Sequence, residues 1–289
     1  MQKILFPCLL PALLQAAEVR EFRDLPYVEG PGADPVKHRL DLYLPPADGS
    51  FPTVVWIHGG AWKMGDRKMY GGLGRRFAGE GIGLAAISYR LSPAVRHPEH
   101  ARDAARAFAW VRSRIAGYGG DPERLFLMGH SAGGHLAALL ATDPRYLREA
   151  EVPPGALKGA IPMSGVYLIP ALPEDTRGIL RFLPEAFGSD PDACRDASPV
   201  HHLGTLSCPM LVVTETKDTL RVRPSMETLR AAVRARGIPD VEFFDAEDRD
   251  HLSIVVRLSA PGEDAVRDRI VAWIRGRCRA RDGAAAPRD

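Results

Sequence analysis

One pentapeptide in the chain has the residue types and spacing for nucleophilic catalysis: Gly129-His130-Ser131-Ala132-Gly133. A serine hydroxyl is a weak nucleophile at neutral pH and has to be held where a base can reach it. The apolar run Leu125-Phe126-Leu127-Met128 before it is too short for a helix, and Ala132 to Ala141 after it is apolar with helical spacing. The serine therefore falls on a strand-to-helix turn, which projects its Oγ above a sheet. Glycine on either side suits so sharp a turn, because a Cβ there would strike neighbouring backbone. The helix behind it presents its positive end to a reacting carbonyl. Alone, the same residues also describe an N-cap serine between two loop glycines.

A second element narrows the choice. His58-Gly59-Gly60-Ala61-Trp62 directly follows the buried run Thr53 to Ile57, the position where α/β-hydrolases carry the loop whose N–H groups bind an oxyanion. Adjacent glycines let the backbone bend until its amides face the developing charge. Gly59 and Gly60 are the expected donors, joined by the N–H of Ala132. Each such donor stabilises a transition state by about 3 kcal/mol.

With both motifs in place, the chain resembles the α/β-hydrolase esterases related to hormone-sensitive lipase. Ser88-Tyr89-Arg90-Leu91-Ser92-Pro93 and Gly119-Gly120-Asp121-Pro122-Glu123-Arg124 are similar to that group as well, and the similarity runs from about Val36 to the last helix. The HGGAW form is most similar to bacterial acetyl and feruloyl esterases, kynurenine formamidases and isoprenylcysteine methylesterases. Ala61 departs from an HGGG loop at its last place. The resemblance implies a triad in the chain order serine, acid, histidine. Its acid is expected in the loop after Met210 to Val213, where Asp218 is the first choice and Glu215 the rival. His251 is the expected base. Trp62 and Tyr89 are expected at the site mouth or in the core, and Phe182, Leu183 and Phe187 as an apolar wall or as ordinary packing.

The other histidines read as structural. His58 is expected to bond backbone, His130 to pack away from the serine, His135 to serve as a structural partner one turn along the helix, and His97 and His100 to face solvent. His201 and His202 fall in the segment over the site. The implied activity is hydrolysis of a small-molecule carboxylic ester with a small or medium acyl group, through an acyl-enzyme. Arylformamide hydrolysis and a non-catalytic binding protein on the same fold are the alternatives.

The elements that must position these residues follow from periodicity. His38 to Leu44 alternates with period 2, as a half-buried antiparallel strand does, while Thr53 to Ile57, Leu84 to Ser88, Leu157 to Met163 and Met210 to Val213 are short apolar runs suited to strands covered on both faces. Val241 to Phe244 adds a further strand. Helical spacing covers Glu99 to Ala116, Ala132 to Ala141, Pro224 to Arg236 and Glu263 to Ile274. This order predicts an α/β-hydrolase fold: a mostly parallel sheet of about eight strands with helices on both faces. One domain spans 18–282, with a lid-like excursion over about 166–206 and a frayed tail over 283–289.

Composition sets the outer limits. Among the 289 residues, 38 Lys and Arg against 36 Asp and Glu leave a net charge of +2, dispersed in both signs, so no nucleic-acid partner is expected. Cys8, Cys194, Cys208 and Cys278 lack metal or redox spacing, and no histidine ligand set occurs. No metal and no cofactor are expected. Residues 1–17 carry a positive start, an apolar stretch broken by Pro7 and Pro11, and small residues before Glu18. They read as a secretory signal peptide, too short for stable membrane insertion, which puts the mature protein in the periplasm or outside the cell with three buried free thiols.

Overall fold

The computed structural model describes residues 18–46, 49–171, 182–220 and 222–284; the expected signal peptide over 1–17, with Cys8, lies outside them. Eight strands form one sheet in the order β1-β2-β4-β3-β5-β6-β7-β8. Their spans are β1 Arg20–Pro26, β2 Arg39–Leu44, β3 Phe51–Ile57, β4 Gly83–Ile87, β5 Gly120–His130, β6 Leu157–Met163, β7 Met210–Lys217 and β8 Val241–Asp250. β1 pairs antiparallel with β2, and β2 with β4, while every pairing from β4 onward is parallel. The loops that leave the parallel strands therefore gather at one edge of the sheet, where ligands of open α/β sheets sit.

Alternation along the buried strands builds two cores. In β3, Val55 and Ile57 face one cluster and Val54 and Trp56 the other. The first face is covered by α2 (Glu99–Arg114), α3 (Ala132–Thr142) and α7 (Arg223–Arg236), and the second by α1 (Gly71–Gly79) and α9 (Ala265–Ala284). A strand covered on both faces has no polar side, which is why these segments read as unbroken apolar runs.

The remaining helices are short: α4 (Arg145–Glu149), α5 (Leu183–Phe187), α6 (Pro191–Asp196) and α8 (Ser253–Val256). The excursion contains α5 and α6 and is closed on itself by Val200 N donating to Tyr167 O, and it is tied to the body where the Ser225 hydroxyl oxygen of α7 accepts from Tyr167 N and Leu168 N. Helix α9 runs through Ala284, so residues 283 and 284 of the expected frayed tail are helical, and 285–289 lie outside the described residues. Cys194 and Cys208 are buried free thiols as expected, whereas Cys278 is only partly buried, because it follows the apolar stretch of α9 rather than lying in it. Among the described residues no helix is long and apolar enough to cross a membrane.

Candidate active site

Ser131 sits between β5 and α3 with φ 56° and ψ −117°, a conformation that costs a non-glycine residue on the order of 1–3 kcal/mol. The turn is so tight that a Cβ on Gly133 would lie 2.0 Å from the Ile57 carbonyl oxygen, and one on Gly129 would lie 2.3 Å from the Gly133 carbonyl oxygen. Ser131 N is anchored to Met163 O at 2.9 Å, tying the serine to the end of β6. Eight non-glycine residues among those described have positive φ; the four that are not Asp or Glu are Ala61, Trp62, Ser131 and Ser164. All four lie at this edge of the sheet, so the unusual backbone is concentrated around one serine.

The loop after β3 closes on that serine. A Cβ on Gly59 would meet the Ser131 Cβ at 3.1 Å and the His130 carbonyl oxygen at 2.9 Å. Gly60 adopts φ +122°, and a Cβ there would overlap Met64 O at 2.0 Å, so glycine is required on both counts. Gly60 O accepts from Lys63 N at 3.0 Å and Met64 N at 2.9 Å. In a trans peptide the next N–H points the opposite way, so the Ala61 N–H is directed out of this turn. Ala61 is thus a candidate oxyanion donor that the sequence reading passed over; its place in HGGAW was the available signal. Ala132 opens α3, where a first-turn N–H has no partner within the helix.

The carboxylate facing the candidate base is Glu215, not Asp218. His251 Nδ1 donates to Glu215 Oε1 at 3.0 Å, and both side chains are buried. Burial alone would raise the Glu215 carboxyl, but hydrogen bonds from His251, from the Ser164 hydroxyl and from its own backbone prevail and hold it below its ordinary value. Asp218 turns instead to the next helix: its Oδ1 accepts from Val222 N at 2.8 Å and its Oδ2 from Arg223 N at 3.3 Å. The physical reason is strand length. β7 does not end at Val213 but continues through Lys217, which carries Glu215 on the strand beside β8 and leaves Asp218 beyond it at the start of α7.

The other imidazoles are structural, though not all where expected. His130 Nε2 donates to the backbone O of His251 at 2.8 Å with ring centroids 4.6 Å apart, so it fixes the segment that carries the candidate base. Burial, aided by the neighbouring His251, pushes the His130 imidazole down to about 3 and keeps it neutral. His58 donates from Nδ1 to Gly59 O at 2.7 Å, and burial lowers it to about 4. His135 accepts from Trp62 Nε1 at 3.2 Å and donates to Ala197 O at 2.8 Å, joining the loop after β3 to the excursion. His97 and His100 do not face solvent. His97 contacts Asp196 at 2.9 Å and His100 contacts the Ser92 hydroxyl at 3.2 Å, because the excursion and the loop after β4 pack over the start of α2. In the excursion, His202 Nε2 donates to Asp196 O at 2.8 Å, and His201 is half-buried.

Tyr89 is wholly buried, stacked on His58 at 4.4 Å with its hydroxyl on His58 O at 3.2 Å. It supports the candidate oxyanion loop through His58 and does not line the mouth. Trp62 is buried too, edge-on to Phe187 at 4.8 Å and to His135 at 5.1 Å. Leu183 and Phe187 are likewise buried in the excursion, and Phe182 is half-exposed under Lys63. No group of His, Cys, Asp and Glu with the arrangement of a metal site occurs among the described residues.

Charged side chains knit together the elements that flank the loop after β3. Arg67 donates from Nε to Asp41 Oδ1 at 3.0 Å, from Nη2 to Asp24 Oδ1, and from its backbone N to Ser88 Oγ at 3.1 Å. A second knot joins Arg90 to Asp103 through Nε and Nη2, each at 2.8 Å, with His38 Nε2 3.1 Å from the same carboxylate. Burial raises the Asp103 carboxyl, yet the bonds from His38 and Arg90 win and hold it at about 2.

The chain is similar to known proteins. The BD-FAE family matches residues 40–230. Esterase LipQ of Mycobacterium tuberculosis is 32% identical over 278 residues, covering 91% of this chain and 65% of LipQ. A probable isoprenylcysteine alpha-carbonyl methylesterase of Oryza sativa subsp. japonica is 40% identical over 136 residues, 45% of this chain and 31% of that protein. The chain therefore spans less than two thirds of the length of either relative. Among solved structures, esterase B from Lactobacillus rhamnosis superposes with a TM-score of 0.77 at 20% identity, covering 93% of this chain and 89% of that one. The strand order and this likeness give the chain the α/β-hydrolase fold.

Proposed function

The chain belongs to the BD-FAE family, and from that premise we propose that it is a serine hydrolase cleaving carboxylic esters of small or medium acyl groups. Ser131 attacks the ester carbonyl while His251 takes its proton at Nε2. Glu215 holds the imidazole in the Nδ1–H tautomer and stabilises its cationic form. Amides of the loop after β3, together with Ala132, receive the oxyanion. His251 then protonates the leaving alcohol, and a water activated by the same imidazole releases the acid from the acyl-enzyme. The observation that carries this reading is the buried Glu215–His251 hydrogen bond at the ends of adjacent strands, beside a serine held in a strained turn. Names of relatives support the reaction class, since LipQ is an esterase and the rice protein a probable methylesterase.

Replacing Ser131 by Ala is expected to lower p-nitrophenyl acetate turnover by about a millionfold, to what binding and the oxyanion loop supply alone. Wild-type turnover in that variant would refute the nucleophile. A panel of acyl chain lengths, feruloyl and acetylated-sugar esters and N-formylkynurenine defines the bond and the acyl limit. Labelling of Ser131 by a fluorophosphonate separates an enzyme from a binding protein. Secretion belongs to the same proposal: a mature N-terminus near Glu18 supports it, and one at Met1 in exported protein contradicts it.

A further inference from the structure

We propose that Ser164 is a positioning residue for this site, holding the carboxylate of Glu215 through its second oxygen and setting the spacing between acid and nucleophile. The inference rests on the triad reading above and goes one residue beyond it. The Ser164 Oγ donates to Glu215 Oε2, while Oε1 of the same carboxylate accepts from His251. Ser164 is wholly buried, so this hydroxyl has no competing water, and a carboxylate fixed at both oxygens cannot swing away from the imidazole.

Its place in the chain gives the contact a further consequence. Ser164 follows the last residue of β6, and the two residues there face opposite partners. The carbonyl of Met163 accepts Ser131 N at 2.9 Å, while Ser164 N donates to Val213 O of β7 at 2.9 Å. One peptide step therefore links the nucleophile's turn to the strand that carries the acid. To make both bonds Ser164 adopts φ 48°, a left-handed conformation unfavourable for a residue with a Cβ. Glycine would relieve that strain, and asparagine or aspartate would tolerate it better. Aspartate would set a second negative charge against Glu215, and glycine would leave its outer oxygen without this donor. Serine supplies a small donor there.

The decisive variant is Ser164→Gly, which removes the hydroxyl and suits the backbone, so a purely structural role predicts a change in thermal stability with unchanged kinetics. A hydrogen bond to a charged group contributes about 1.5–3 kcal/mol. The positioning role therefore predicts a kcat about ten- to a hundredfold lower on p-nitrophenyl acetate, with KM changed less than about twofold. It also predicts that the acid limb of the kcat/KM profile moves to higher pH, because a carboxylate lacking one donor binds its proton, or the imidazolium beside it, more tightly. Ser164→Ala should show the same kinetics with reduced stability. Unaltered kcat and pH profile in Ser164→Gly overturn the inference. Glu215→Gln is measured beside it. If that variant is inactive while Ser164→Gly is unaffected, only the role of Ser164 fails; if it keeps wild-type turnover, the triad reading itself fails.

Discussion

The two sides of Ser131 are held by different forces. On the side of β2, β3 and β4, the elements around the loop after β3, the proposed oxyanion loop, are held by ion pairs set in or against the core: Arg67 with Asp41 and Asp24, and Arg90 with Asp103. On the side of β7 and β8, Glu215 and His251 are held by a short hydrogen-bond chain from Ser164, and Leu252 and Val256 just beyond are exposed. The comparison teaches a division of labour. On the proposed reading, a loop that presents backbone amides is fixed through its flanks by charge, whereas side chains that share a proton are fixed one hydrogen bond at a time. Damage to the first side should appear as lost stability, and damage to the second as lost turnover in a folded protein.

The largest stability loss is expected from Arg67→Met, which removes the buried partner of Asp41 and leaves that carboxylate only the more exposed Arg23. Breaking a buried pair from one side costs about 3–5 kcal/mol, and chemical denaturation reads it. A loss under about 1 kcal/mol would erase the contrast between the two sides.

Acidification should act next, and on the oxyanion side and the centre together. His58 and His100 are held down to about 4, and His130 and His135 to about 3, each chiefly by burial. The unfolded chain binds protons to these groups near pH 6.5, above the folded values, so stability is full above that pH and declines as pH falls toward 3. The thermal midpoint should be several degrees lower at pH 5.0 than at pH 7.5. Equal midpoints would mean that these imidazoles are not buried neutral.

The smallest stability effect is reserved for Asp218→Ala. It removes an acceptor from the first turn of α7, a loss of about 1 kcal/mol, with kcat changed by no more than a few fold. A large fall in kcat would move the acid back to Asp218 and undo the assignment of the second side.

How much of this was legible depended on where each segment lies. Strands β3, β4 and β6 and helices α2 and α3 read clearly, because segments buried on both faces leave continuous apolar runs and packed helices leave a periodic one. Strand β1 was not read: at the sheet edge its sequence REFRDLP buries little. Helix α1 was missed because GGLGRRFAG has four glycines among nine residues, and only tertiary packing of Leu73 and Phe77 makes it helical. The sharp turn at Ser131 and the glycine loop after β3 were legible as backbone features, since tight turns restrict residue type. Glu215 lost to Asp218 because the polar stretch Thr214 to Lys217 looks like a loop, while its residues continue β7 as far as the site. The histidines at the start of α2 and the pairs joining residues 24, 41 and 67 depend on contacts from distant segments, and no local pattern announces them.

One comparison of rates bears most directly on the account: kcat for Glu215→Gln against kcat for Asp218→Asn, both checked as folded. An amide at 215 would favour the wrong imidazole tautomer and drop turnover by about ten-thousandfold, while Asp218→Asn stays near wild type. Near-normal turnover in Glu215→Gln, with the loss falling on Asp218→Asn, would contradict the assignment of the acid and the division between the two sides built on it.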